Sequence, residues 1–271
     1  MAIRSMKDPV RIVGVKFLNA RPLIAGVEAG IPAPFPYAFA GAEPSVCADS
    51  LAAGEASVGL VPVTALPVIP NVRAVSSFGV SAHHEVRSVL LVSKVPLERV
   101  RTLATHTASR TSITLARLLL AERWGARPEL VSRRPPLAEM LVGTDAAVII
   151  GDPAFAVHGA TGLLEVDLAH AWSEWSGLPF VFAIWGVGPK APAGAEALLE
   201  RSLEYAEAHW GELLPRWARA HAVSLADTRE YLEEVLRFRL GEPERAGMLE
   251  FLRRAARAGL LPRRDEVWAA T

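Results

Sequence analysis

The chain has 271 residues, 51% of them hydrophobic, which is enough for a large core in one or two domains. Lysine and arginine number 29 and aspartate and glutamate number 29, so no global field draws the chain to nucleic acid or an anionic membrane. Cys47 is the single cysteine, which excludes an internal disulfide, an iron–sulfur cluster and a zinc site built on several cysteines within one chain.

The segment Met1 to Pro9 carries charges but no apolar run of signal-peptide length, which predicts a cytoplasmic protein. Val10 to Val15 reads as a buried strand, ending at Phe17-Leu18-Asn19-Ala20-Arg21-Pro22-Leu23. Pro22 suits the first turn of a following helix, where its missing N–H costs nothing. Pro32, Pro34, Pro36 and Pro44 mark irregular chain. Pro44 to Gly54 reads as a short helix with Val46, Leu51 and Ala52 as candidate core. Ser57 to Pro62 is a second strand. The stretch Val58 to Pro70 is the most apolar in the chain, but three prolines break it and it is too short to span a bilayer.

Val72 to Phe78 and Val86 to Val92 are further β-branched, apolar runs. Leu97 to Arg101 reads as a short turn or helix before a strand at Thr102 to Thr105. Ser112 to Trp124 has helical periodicity, with Leu115, Leu118 and Leu119 on one face and Gly125 as the stop. Ala126 to Ser132 and Ala146 to Ile150 read as strands, and so does Leu178 to Val187. Helical patterning then covers Ala193 to His221, interrupted near Pro215, followed by helices Ser224 to Leu240 and Pro243 to Ala258. Strands alternating with helices predict mainly parallel sheets flanked by helices, with any ligand beyond the carboxyl ends of the strands.

Three of those strand ends carry suitable chemistry. His106 to Ser112 joins a strand to a helix whose first N–H groups lack internal partners, so it can hold an anion. Ser109, Thr111 and Ser112 add hydroxyls, and Arg110 can grip a carboxylate; the alternative is a hydroxyl N-cap beside a solvated arginine. Asn19 can offer a ligand both a donor and an acceptor, or else hold its own loop. Asp152 either caps the following helix or orients a ligand hydroxyl or a neighbouring donor. Ser88, at a strand start, is a further candidate. His83-His84-Glu85 invites a metal reading, but adjacent strand residues point to opposite faces and no HExxH is present, so no metal is expected. Trp172 to Phe180 is dense in aromatics that pack a core or hinge.

Taken in order, Phe17 to Leu23, Gly59 to Val63, Arg87-Ser88-Val89, Ser109 to Ser112, Ile150-Gly151-Asp152 and Gly177 to Trp185 resemble the chorismate dehydratases that open the futalosine route to menaquinone. That family often has Tyr where Phe17 stands and Thr where Ser176 stands, and a shorter segment before Arg87. The resemblance implies a two-lobed α/β fold of the periplasmic-binding-protein type 2 class. One lobe would hold residues 1–92 and 178–271 with the C-terminal helices, and the other residues 93–177. A dianionic small molecule, chorismate, would lie between them.

The implied enzyme is a hydro-lyase without cofactor. Ser109, Arg110, Thr111 and Ser112 would bind one carboxylate, and Asn19 and Ser88 would position the reacting end. Asp152 would support the cleft or bond a hydroxyl. No nucleic acid or membrane partner is implied, and the chain would be a monomer or homodimer. A non-catalytic binding protein for a small carboxylate, or another enzyme on the same fold, shares these cleft features.

Overall fold

The computed structural model describes residues 8–106 and 110–263. The first half runs β1 (Val10–Val15), α1 (Arg21–Ala29), β2 (Tyr37–Ala42), α2 (Pro44–Ala52), β3 (Val58–Pro62), β4 (Arg73–Ala82) and β5 (Val89–Ser93). The middle holds β6 (Thr102–Thr105), α3 (Arg110–Arg123), β7 (Glu129–Ser132), α4 (Leu137–Met140), β8 (Ala146–Ile150), α5 (Asp152–Phe155), β9 (Leu164–Asp167) and α6 (Leu168–Ser176). The chain closes with β10 (Phe180–Val187), α7 (Ala195–Ala208), α8 (Trp210–Ala220), α9 (Leu225–Glu230), β11 (Leu236–Arg239) and α10 (Glu242–Arg257). No helix among the described residues is long and apolar enough to cross a membrane.

Two sheets organise these elements, a six-stranded one in the order β11-β4-β10-β3-β1-β2 and a five-stranded one in the order β7-β6-β8-β5-β9. Both are mixed. β1 runs parallel to β2 and β3, and β6 runs parallel to β7 and β8, while every other pairing is antiparallel. The parallel content is therefore lower than the alternation of elements predicts. The reason is that each chain crossing between sheets delivers an antiparallel strand, β5 into the second sheet and β10 into the first. β5 was expected with residues 1–92; its register with Ala146–Ile150 and with Leu164–Asp167 puts it in the second sheet instead.

Both crossings are held by α6. Asp167, its N-cap, accepts from Ala169 N and His170 N at 3.0 and 3.1 Å. The other carboxylate oxygen accepts from Val86 N and Arg87 N, at 2.8 and 2.6 Å, in the first crossing. Four N–H donors thus offset the burial that pushes this carboxyl up. At the second crossing, Trp172 Nε1 donates to Pro179 O at 3.2 Å. Trp172 is fully buried, edge-on to Phe180 and Phe251, so the aromatic run packs core at a crossing.

Local chemistry explains the element ends near the cavity. Pro22 lies in the first turn of α1, and Gly30 ends that helix in the left-handed region. Three expectations differ: the helix break expected near Pro215 falls at His209, with Pro215 inside α8, and two elements change. Tyr37–Ala42 is a strand, not irregular chain, because its backbone pairs along the whole of β1 at the sheet edge. Ser224 to Leu240 is not one helix. Ser224 caps α9 as expected, but a π-helical turn follows at Tyr231–Val235 and the chain then extends as β11. Pairing with the open edge of β4, reinforced by the Ser81 hydroxyl donating to Arg237 O, outweighs helix propensity there. Of the α2 residues expected in the core, Leu51 is buried and Val46 and Ala52 are exposed.

Candidate active site

Val15 ends β1, Pro62 ends β3 and Ile150 ends β8, and all three line one cavity between the two sheets. Ligand space beyond the carboxyl ends of strands is the expected place in such sheets. The walls are apolar, with Phe17, Val80, Val89 and Phe182 prominent. The polar groups of the lining are Asn19, Thr111 and Ser112. No Asp, Glu, His, Lys or Arg is among the described lining residues. The space is tight, with about 60 Å³ open to the centre of a water molecule.

The candidate residues fall into two groups. Asn19, Thr111 and Ser112 face the cavity. Asn19 sits in the single 3-10 turn Leu18–Ala20 that links β1 to α1. Its side chain makes no hydrogen bond to another described residue, so the loop-holding alternative does not describe it. Thr111 and Ser112 lie in the first turn of α3, both nearly buried, and the Thr111 hydroxyl shares a 3.2 Å hydrogen bond with Thr64 of the first sheet's half. Thr111 and Ser112 thus bring two hydroxyls to the cavity at the start of a helix, where the first N–H groups have no partner within the helix itself.

Arg110, Ser88 and Asp152 stand outside the lining. Arg110 donates to Asp49 Oδ1 at 2.7 Å from the exposed rim. Ser88 is buried next to Val89, and its carbonyl accepts from Gly151 N at 2.8 Å. Asp152 is not a cap, since Gly151 occupies that position. Its carboxylate reaches across to the first sheet's half, where Oδ1 accepts from Leu18 N at 3.2 Å and Oδ2 from His221 Nδ1 at 2.6 Å. Ser109 lies outside the described residues.

Two residues here were not legible as site residues. His221 caps the C-terminal end of α8 and meets Asp152 from 69 positions away. Tyr231, fully buried, donates its hydroxyl to Ser88 Oγ at 2.5 Å and packs its ring on Phe155 at 5.0 Å between centroids. Burial, with the Asp152 and Asp167 charges nearby, raises the Tyr231 hydroxyl, so it remains a donor. Gly151 stays at φ +66°, with Phe17 ring atoms 3.2 Å from where a Cβ would stand. His83 pairs with Glu244 of α10 at 2.5 Å.

A family model described as menaquinone biosynthesis matches residues 10–257. The chain belongs to the menaquinone-biosynthesis family. A chorismate dehydratase of Thermus thermophilus is 33% identical over 193 residues, 64% of this chain and 70% of that one. A solved structure of a protein from Archaeoglobus fulgidus superposes with a TM-score of 0.76 at 14% identity, covering 96% of this chain and 100% of that one. The periplasmic aliphatic sulphonate binding protein of Escherichia coli superposes at 0.62 with 12% identity, covering 96% and 91%. At such identities these two structures speak for the fold alone, which is that of the periplasmic binding proteins.

Proposed function

We propose that this protein is a chorismate dehydratase, a hydro-lyase acting in the cytoplasm on a route to menaquinone. Family membership and the Thermus thermophilus relative support the activity. The observation that carries the site is the cavity's composition among the described residues: one amide without a hydrogen bond, two hydroxyls at a helix start, and apolar walls with no ionisable side chain.

That composition suits a dianionic substrate that brings its own base. In the proposed reaction the side-chain carboxylate of chorismate takes the proton from C3. The C–H electron pair then forms the new ring double bond as the 4-hydroxyl leaves, taking up the proton from that same carboxyl group to depart as water. The products are water and aromatic 3-[(1-carboxyvinyl)oxy]benzoate. Aromaticity drives the step, so the protein need only fix the geometry and stabilise developing charge.

In this reading the segment 109–112 holds the other carboxylate. Thr111 and Ser112 contribute hydroxyls and helix N–H groups, and Arg110 adds positive charge from the rim. Asn19 and Ser88 position the reacting end, with Ser88 acting from outside the cavity lining. Phe17 and Phe182 offer apolar faces to the ring. The lobes follow the two sheets, and the narrow cavity is their closed arrangement. Substrate entry requires them to part and closure excludes water.

The test is incubation of purified protein with chorismate, without added metal or cofactor, followed by chromatography and mass measurement. Loss of one water to an aromatic product is the expected result. Chorismate that protects the protein against heat yet stays unchanged would mean a binding protein instead.

A further inference from the structure

The Asp152 carboxylate divides its two oxygens between two partners that come from opposite ends of the chain. Oδ1 accepts from the backbone of Leu18 at 3.2 Å and Oδ2 accepts from His221 Nδ1 at 2.6 Å. The His221 side chain is 11% exposed and that of Asp152 29% exposed, so this network is partly shielded from solvent. Such shielding strengthens a charge-assisted bond.

Leu18 opens the 3-10 turn that carries Asn19, and that turn is closed by two backbone bonds, Ala20 N to Phe17 O at 3.0 Å and Arg21 N to Leu18 O. Because the Asn19 amide has no side-chain partner among the described residues, its position is inherited from the backbone of this turn. The Leu18 N–H is the handle by which Asp152 grips that backbone. A carboxylate bonded on one oxygen only is free to rotate away, and His221 removes that freedom.

We propose that His221 is a positioning residue for the dehydration: it locks Asp152 in the orientation that fixes the turn bearing Asn19. His221 itself lines no part of the cavity. Asp152 starts α5, beside the second sheet, whereas Leu18 follows β1 of the first. The same contact therefore ties the placement of Asn19 to the approach of the two sheets, so the reacting geometry is complete only when they are together. The proposal rests on the dehydratase reading.

Two substitutions separate a hydrogen-bonding role from simple space filling. His221→Asn retains a donor near the Nδ1 position, and His221→Leu retains bulk without a donor. With chorismate as substrate, His221→Leu is expected to lower kcat by about 10–100-fold with KM changed by less than about 3-fold, as for a small misplacement of a reacting group. His221→Asn is expected to stay within about 3-fold of the parent protein. The double variant His221→Leu with Asp152→Asn is expected to match the worse single variant rather than the product of the two.

Amide hydrogen exchange at Leu18, followed without substrate, is expected to quicken in His221→Leu and to recover in His221→Asn. Activity near the parent level in His221→Leu would overturn the proposal. So would equal loss in both variants, or unchanged exchange at Leu18. If the parent protein leaves chorismate unchanged, the dehydratase reading fails, while Leu18 exchange still decides whether His221 fixes this turn.

Discussion

The Tyr231 hydroxyl donates to Ser88 Oγ at 2.5 Å, joining the π-helical turn to the residue just before β5, 143 positions earlier. Because Ser88 accepts this bond, its own proton is left for another acceptor. A donor polarised from behind is a stronger donor. Ser88 is 1% exposed, so an unpaired hydroxyl there is costly.

Tyr231→Phe removes the donor and keeps the ring against Phe155. It is expected to lower stability by about 1–3 kcal/mol, the cost of leaving a buried polar group unpaired. Turnover of chorismate is expected to fall by about 10-fold as Ser88 loses its orientation. Calorimetry and steady-state kinetics measure the two effects separately. Unchanged kcat alongside reduced stability would restrict the pair to a structural role.

Gly151 stands where β8 meets α5, at φ +66° and ψ −149°, a region that only glycine visits freely. A Cβ there would lie 3.2 Å from the Phe17 ring. Gly151→Ala is therefore expected to cost about 1–3 kcal/mol from backbone strain alone and to push Phe17 out of the cavity wall. At roughly 2–4 °C per kcal/mol for a chain of this size, thermal unfolding shows the first effect and a raised KM for chorismate the second.

Burial pushes the Cys47 thiol up to about 12, although backbone hydrogen bonds at Ala42 and Cys47 oppose the rise. In the unfolded chain it ionises near the ordinary thiol value of about 8.5. The folded state thus holds the proton longer, and stability is expected to fall as pH rises from about 9 to 12. The raised Tyr231 hydroxyl adds to the same alkaline loss. Cys47→Ala removes the thiol's share: melting temperatures are expected to be lower at neutral pH, from the lost packing, but to decline less steeply above pH 9. An equal slope in both proteins would show that Cys47 contributes nothing to it.

Arg110 and Asp49 meet at 2.7 Å with side chains 39% and 63% exposed. Exposed pairs contribute little to stability, so Asp49→Asn is expected to shift it by less than about 1 kcal/mol. Freed from Asp49, Arg110 is expected to bind anions at the rim more readily and to lower the KM for chorismate, most clearly at low salt. A raised KM in Asp49→Asn would show instead that the pair is needed to hold the rim closed.

Much of this arrangement can be read along the chain, since it depends on local pattern. Val10 to Val15 is a mostly apolar, β-branched run between Pro9 and Lys16 and is a strand over those same residues. The face of Leu115, Leu118 and Leu119 is buried in α3 as its periodicity predicts. Asn19, Thr111 and Ser112 are visible because each follows a strand or opens a helix. What escapes is set by contacts between distant segments. β2 and β11 exist because a sheet edge offers them partners, and the composition of Tyr37-Ala-Phe-Ala-Gly-Ala gives little sign of a strand. His221 and Tyr231 lie in helical C-terminal segments with no local motif. Only the fold brings them to Asp152 and Ser88.

The central claim is that chorismate loses water in this cavity, with Asn19 holding the reacting end. Turnover by Asn19→Ala beside the parent protein tests it most directly, with thermal protection by chorismate recorded on the same samples. The account expects the parent to form the aromatic product, and Asn19→Ala to fold and still be protected while turning over at least about 100-fold more slowly. Near-normal turnover by Asn19→Ala would contradict it, and so would a parent protein that leaves chorismate unchanged.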